Sequence, residues 1–299
     1  GYRAMQTPTK VLATLVEETG SEFPLPSCQR ALVETILEDS TCIQFPPDNS
    51  YTKAFLKALI ALIEMNRDVA VDDAILERYM TLVNASCDPS SSAALAGHCS
   101  FEPIPGTGAA SFRLNRMMLN PVGLASWPAG FLLAEYALTN QELFKGKEVI
   151  ELGAGVGITG VAIAKWTQIK HILATDFLAS VLTNLEYNVS INKVSDRMTV
   201  AQLDWEEDDT TKDLPHGDFV IAADCVYDPD LARSLAKILG RLLHETNAEY
   251  AIIANTVRQH ETLQAFQEAL NRHDLFYTEI PQMKEQLFPY DRPNQMILW

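Results

Sequence analysis

The chain has 299 residues, 47% of them hydrophobic, which is enough apolar material for a globular core and predicts about two domains. Its 39 acidic and 23 basic residues leave a net charge of -16. This charge disfavours a nucleic-acid backbone as the main partner and is better suited to a basic protein surface.

The first third of the chain is predicted to be helical. Apolar residues recur at helical spacing in 55–63 and again in 75–83, and prolines in 24–26 and 46–47 separate the segments. Residues 88–92, Asp-Pro-Ser-Ser-Ser, are typical of a linker. We therefore expect a small helical N-terminal domain at residues 1–95 and a second domain at residues 96–299.

Beyond the linker, short strands alternate with helices, the pattern of a mostly parallel sheet covered on both faces. Seven segments are predicted as strands: 148–152, 171–175, 199–203, 219–223, 250–255, 276–280 and 295–299. The last two are expected to form a terminal antiparallel pair. Asp228 and Pro229 are predicted as the N-cap and first residue of a helix. The predicted fold class is α/β, with a seven-stranded, Rossmann-like sheet.

Cysteine usage and hydropathy favour the cytoplasm. The five cysteines are widely spaced and form no CxxC pair, as expected of reduced thiols. The sequence has no run of about 18 apolar residues, and residues 1–10 lack the apolar segment of a signal peptide. The six histidines lack metal-ligand spacing. We expect a cytoplasmic monomer with no metal site and no membrane association.

The most informative segment is 151–160, ELGAGVGITG, which joins a predicted strand to a helix through a turn almost free of side chains. Backbone N–H groups at such a helix start can approach a nucleotide-like ligand. Gly155-x-Gly157-x-x-Gly160 satisfies the dinucleotide fingerprint, and Asp176 stands about twenty residues further on, where a ribose-binding carboxylate is expected. A dehydrogenase is therefore one interpretation.

The same segment also fits a longer pattern, Glu-x-Gly-x-Gly-x-Gly beginning at Glu151, which is typical of enzymes that use S-adenosylmethionine. In this interpretation the glycines, including Gly153 and Gly155, let the backbone approach the sulfonium cofactor. Glu151 compensates its positive end, and Asp176 accepts both ribose hydroxyls.

Residues at later strand ends favour the second interpretation. Asp204 and Trp205 follow the third predicted strand and offer a carboxylate and a flat ring to adenine. Ala223 and Asp224 end the fourth strand, at the sheet edge where ligands bind in open α/β folds. Cys225 has no His or Cys nearby and is interpreted as structural. The acidic run 206–209 is interpreted as a solvated loop; a weaker hypothesis is that it, or the helical domain, docks a basic face of a protein substrate.

This combination resembles the seven-stranded, S-adenosylmethionine-dependent protein-lysine methyltransferases. Their signature after strand four is Asp-x-x-Tyr, matched here by Asp224 and Tyr227. Segments 97–101 (GHCSF), 200–205 (VAQLDW), 220–224 (VIAAD) and 287–290 (LFPY) are similar to the members that modify elongation factor 2. The resemblance covers residues 97–299. The family usually has an acid after the tryptophan that corresponds to Trp127, whereas Pro128 stands here.

The resemblance implies a set of site residues and an activity. It implies cofactor contacts at Trp127, Gly153, Ala154, Gly155, Trp205 and Ala223, with Asp176 on the ribose. The substrate lysine would enter between Asp224, which orients the amine, and Tyr227, which offers a cation–π contact. The expected reaction is methyl transfer from S-adenosylmethionine to a lysine of elongation factor 2.

Alternatives stay open at this point. They are methylation of another protein or of a small molecule, and a non-catalytic binding module that keeps the cofactor fold. A nucleic-acid methyltransferase is disfavoured by the charge and by the absence of an Asn/Asp-Pro-Pro-Tyr motif at 224–227.

Overall fold

The computed structural model describes residues 1–85, 96–115, 122–206, 214–281 and 283–299. Contacts divide these residues into two units, one made of those in Gly1–Glu102 and Arg113–Met118, the other of those in Pro103–Phe112 and Leu119–Trp299. The predicted linker at 88–92 and positions 207–209 of the acidic run lie outside the described residues. The domain limits 1–95 and 96–299 stay a prediction.

The first unit is mainly helical. Its helices are α1 (Pro8–Thr19), α2 (Pro26–Leu32), α3 (Ser40–Gln44), α4 (Asn49–Glu64) and α5 (Asp73–Asn84), and a π-helical segment, Val33–Leu37, follows α2. The helices predicted from 55–63 and 75–83 lie within α4 and α5. Asp48 and Asp72 begin these helices, since their side chains accept backbone N–H groups of the first turn. Two strands that the sequence did not predict, β1 (Ala96–Phe101) and β2 (Ala110–Asn115), form a two-stranded sheet; residues 110–112 of β2 are assigned to the second unit.

The second unit is built on a six-stranded sheet. Its strands are β3 (Glu148–Leu152), β4 (His171–Asp176), β5 (Met198–Gln202), β6 (Phe219–Ala223), β7 (Ala251–Thr256) and β8 (Met296–Leu298), in the spatial order β5-β4-β3-β6-β7-β8. β3 to β7 are parallel, and β8 pairs antiparallel with β7. The α/β class and the terminal antiparallel strand are thus confirmed.

The segment predicted as a further strand, 276–280, is not part of a ladder in the structure. Ile280 donates its backbone N–H to the Leu298 carbonyl at 2.7 Å, but residues 275–281 are otherwise irregular. Phe276 and Tyr277 are exposed. Their aromatic side chains give a strand-like pattern without the burial that sustains a strand.

Helices lie on both faces of the sheet: α6 (Pro128–Thr139), the short α7 (Gln141–Phe144), α8 (Ile158–Trp166), α9 (Ala179–Ile191), α10 (Pro229–Glu245) and α11 (His260–Arg272). Successive side chains along β3 lie on opposite faces of the sheet. Ile150 and Leu152 share a core with apolar residues of α10 and α11, whereas Glu151 lies against Gly160 of α8. No helix of the described residues is long and apolar enough to cross a membrane.

The sheet order places a crevice between β3 and β6. From β3 the chain continues outward through β4 and β5 and then returns to β6 on the other side. The loops after β3 and β6 therefore lead away from each other. In open α/β sheets ligands bind at this switch point, outside the carboxyl ends of the strands.

Candidate functional site

A cavity of about 560 Å³ lies at this switch point. It brings together every residue that the sequence predicted to contact cofactor or substrate: Trp127, Glu151, Gly153, Ala154, Gly155, Asp176, Asp204, Trp205, Ala223, Asp224 and Tyr227. These residues lie at the ends of four different strands, directly after those strands, or just before α6, and the parallel register of the sheet aligns their positions along one edge.

The glycine turn forms the floor of the cavity. Gly153, Gly155 and Gly157 all have positive φ, between +55° and +86°, a region that favours glycine. A Cβ on Gly153 would lie 2.8 Å from Cys225 Sγ and 3.2 Å from the Trp205 ring. A Cβ on Gly155 would lie 3.2 Å from the Gly123 carbonyl oxygen. The bare backbone of the turn is therefore required both by its conformation and by its neighbours.

Glu151 is buried beneath this turn. Its Oε2 has no hydrogen-bond partner among the described residues, and a Cβ on Gly160 would overlap with that atom. The third glycine of the motif thus makes room for an acid between the sheet and α8. Burial raises the pKa of Glu151 to about 8; the backbone hydrogen bond from Gly160 opposes this rise, and the charge of Asp176 adds to it.

Asp176, at the end of β4, is held by backbone donors. Its Oδ2 accepts the Gly155 N–H at 3.1 Å, and its Oδ1 accepts the N–H groups of Phe177 at 2.9 Å and Leu178 at 3.3 Å. Burial nevertheless raises the pKa of this carboxyl above its usual range. The carboxylate is fixed beside the glycine turn, and three of its roughly four acceptor positions are used.

The loop after β5 closes another side of the cavity. The Trp205 ring lies over Gly153, and its buried Nε1 finds no hydrogen-bond partner in the part of the chain that the structure describes. Asp204 accepts the backbone N–H of Glu206 at 2.9 Å. A flat apolar surface beside a carboxylate is therefore present, as the sequence predicted for the adenine end of a nucleotide.

Asp224 is the most heavily bonded side chain of the site. The backbone of Asp224 has a positive φ of +54°, and only 2% of its side chain is exposed. Oδ1 accepts the Thr256 N–H and an Arg258 N–H, both at 3.0 Å. Oδ2 accepts the Ala129 N–H at 2.9 Å and the Thr256 hydroxyl at 3.3 Å. All four acceptor positions of the carboxylate are occupied by donors of this chain.

The rest of the Asp-x-x-Tyr loop is fixed by β7. The Asn255 side chain accepts the Val226 N–H at 3.0 Å and donates to the Val226 carbonyl at 3.1 Å. Tyr227 is partly exposed at the cavity, and burial of its hydroxyl raises the pKa above its usual value. The buried Cys225 has a raised pKa because of burial, which agrees with a structural thiol.

Arg258 is a site residue that the sequence analysis missed. Its guanidinium binds Asp224 and lies 5.2 Å from the centroid of the Trp127 ring. Trp127, the residue before α6, is 39% exposed and donates its Nε1 hydrogen to the Val122 carbonyl at 3.0 Å. Arg258 follows β7 by two residues, so its position at the carboxyl end of a parallel strand was the available signal.

A Rossmann-like sheet with a glycine turn at its switch point, and with carboxylates after β4 and β5, defines a nucleotide-cofactor site. Residues 109–273 match the family model described as lysine methyltransferase. Human protein-lysine N-methyltransferase EEF2KMT is 31% identical over 90% of this chain and 84% of its own length, and the mouse protein of the same name is 30% identical over 95% and 86%. Human methyltransferase-like protein 22 is 28% identical over 62% of this chain and 56% of its own length.

The chain therefore belongs to the lysine methyltransferase family. It is an S-adenosylmethionine-dependent methyltransferase with a protein substrate, as its sequence predicted.

The residues of the cavity fit this cofactor. The side-chain-free turn leaves backbone room for a ligand, Asp176 has one free acceptor position, and Trp205 offers an apolar ring face. Glu151 provides a buried acid for a cofactor that carries a positive charge.

Proposed function

We propose that the chain transfers methyl groups from S-adenosylmethionine to a lysine of elongation factor 2. The observation that carries this proposal is the extent of similarity to the proteins named EEF2KMT. This similarity covers 90% and 95% of the chain. It is therefore not confined to the second unit and extends into the helical unit. The match to methyltransferase-like protein 22 covers only 62%.

In this proposal the cofactor lies along the carboxyl ends of β3 to β5. Gly153, Ala154 and Gly155 hold its methionine end together with Trp127, and Glu151 balances its positive charge. Asp176 has one free acceptor position and accepts one ribose hydroxyl through it, rather than both. The adenine packs on Trp205, beside Asp204, and Ala223 forms the wall between cofactor and substrate.

When bound, the cofactor supplies an electrophilic methyl carbon to a neutral amine, so the protein acts mainly by positioning. Tyr227 offers a ring face to the incoming or methylated nitrogen, a contact worth about 0.5–2 kcal/mol. Asp224 acts less directly than the sequence suggested, because its acceptor positions are already filled. It fixes the positions of Ala129, Thr256 and Arg258 around the amine's path.

We also propose that the enzyme works in the cytoplasm and does not use nucleic acid as a substrate. Two observations support this proposal: four cysteines of the described residues are free, and the charge of -16 opposes a phosphate backbone.

The test is incubation of the purified protein with methyl-labelled S-adenosylmethionine and elongation factor 2, followed by mass spectrometry of the substrate. We expect label on a lysine of elongation factor 2, and none with a Gly153→Val variant. Label on a different protein in a whole-cell extract, with elongation factor 2 unlabelled, would reassign the substrate. Binding of the cofactor without transfer to any protein would instead favour a non-catalytic module.

A further inference from the structure

Arg258 has an unusual electrostatic position. Five carboxyl groups line the cavity, namely Glu151, Asp176, Asp204, Glu206 and Asp224, together with the titratable side chains of Cys225 and Tyr227. Arg258 is the only basic side chain among the described residues that line it. The five acids belong to or follow β3, β4, β5 and β6, and Arg258 follows β7, so one cation shares the cavity with acids from four strand ends.

The guanidinium is held in place from two sides. It donates to Asp224 Oδ1 at 3.0 Å and lies over the Trp127 ring at 5.2 Å. Trp127 is itself anchored through Nε1 to Val122. Although 36% of the Arg258 side chain is exposed, its charged end therefore has a defined position between the acid and the indole.

This position has a consequence for a substrate amine. A lysine in water is an ammonium ion near neutral pH, and methyl transfer needs the neutral form with a free lone pair. An unpaired carboxylate at the amine's position would stabilise the ammonium and so oppose the reaction. The three other donors to Asp224 are neutral, and Arg258 is the one cation among the described residues that pairs with its charge.

Resting on the proposed lysine methylation, we infer that Arg258 is a positioning residue that keeps Asp224 from binding the substrate lysine as ammonium. The nearby positive charge favours the neutral amine, and the proton that the lysine loses passes to bulk water. The amine lone pair then forms the N–C bond while the S–C electron pair remains on sulfur. Arg258 touches neither reacting atom; it acts through the charge it balances on Asp224.

The test compares the pH dependence of kcat for the wild type with that of Arg258→Gln and Arg258→Lys, using elongation factor 2 as substrate. In Arg258→Gln we expect the midpoint of the profile to rise by about one pH unit and kcat near neutral pH to fall about tenfold, converging with the wild type at high pH. Arg258→Lys keeps the charge and should keep the wild-type midpoint. Arg272→Gln removes an exposed arginine of α11 that pairs with Glu268, and it serves as the matched control.

Cofactor affinity by calorimetry and a thermal melt establish that each variant is folded. If Arg258→Gln is not, Arg258→Met provides a second neutral side chain of similar length. An unchanged midpoint in the neutral variant overturns the inference. So does a lower KM at every pH with no shift in midpoint, because Arg258 would then merely occupy the substrate's place. Failure of the wild type to label any lysine would overturn the proposed function as well, whereas identical profiles with active enzymes would overturn this inference alone.

Discussion

The Asp224 carboxylate accepts the backbone N–H of Ala129 at 2.9 Å and thereby joins the loop after β6 to the first turn of α6. The same carboxylate joins both to the end of β7 through Thr256. The Asp224 side chain of the Asp-x-x-Tyr signature thus connects three chain segments that form the cavity wall. Its position in the sequence indicated a role at the substrate entry but not these bonds.

Replacement of Asp224 should therefore affect stability as well as turnover. Asp224→Ala leaves two buried N–H groups and a guanidinium without their acceptor, and we expect it to lower the free energy of unfolding by about 2–4 kcal/mol. Denaturant unfolding measures this change. Asp230→Ala, at an exposed acid in the first turn of α10, is the control and should change stability by less than about 0.5 kcal/mol. Unchanged stability of Asp224→Ala with lost turnover would restore a purely substrate-orienting role.

The glycine turn allows a test that separates backbone strain from crowding. Gly153 and Gly146 both have positive φ, +63° and +69°, but a Cβ on Gly146 would meet nothing within 4 Å. Each alanine variant should cost about 1 kcal/mol of backbone strain. Only Gly153→Ala also displaces Cys225 or Trp205, so only this variant should lose cofactor affinity, by tenfold or more in calorimetry. Equal losses in both variants would show that strain alone governs binding.

A second pair of glycines lies inside helices. Alanine is favoured over glycine there by about 1 kcal/mol. At Gly130 of α6 a Cβ would stay 3.5 Å or more from its neighbours, so Gly130→Ala should raise the melting temperature slightly. At Gly160 of α8 it would overlap with Glu151 Oε2 and lie 2.7 Å from Met198 Cε. We expect Gly160→Ala to melt several degrees lower than the wild type. A higher melting temperature would mean that the Glu151 side chain can move away from the added methyl group.

The sequence predicted those features that local patterns encode. The parallel strands appear as short apolar runs, and their ends carry the polar residues that meet at one edge, so the eleven predicted residues all line one cavity. Asp228 and Pro229 begin α10 as predicted, because capping depends on adjacent residues.

Other features depend on contacts that are distant in sequence. Arg258 lies 34 positions from Asp224, and no local pattern marks that ion pair. The strand β1 contains glycine and serine and lacks a clear alternation of apolar residues. In β2, by contrast, the buried Ala110, Phe112 and Leu114 alternate with polar residues, a local strand signal that the sequence analysis missed. The segment 276–280 has strand-like composition, yet its aromatic residues are exposed. Within the described residues, one backbone hydrogen bond, from Ile280 to Leu298, joins it to the sheet edge.

The buried Glu151 predicts a pH dependence of cofactor binding. With a pKa raised to about 8, this carboxyl is mostly protonated at pH 7 in the free protein. A positively charged cofactor favours the ionised form, so binding should release protons, and affinity should rise between about pH 6.5 and 8.5. Calorimetry in buffers of different ionisation enthalpy measures the protons released. The Gln side chain of Glu151→Gln cannot ionise, so this variant should release fewer protons on binding, and its cofactor affinity should depend less on pH. Asp176 and the cofactor's own amino group titrate in both proteins and contribute equally to the two measurements. Equal proton release by the two proteins would mean that Glu151 keeps its proton when the cofactor binds.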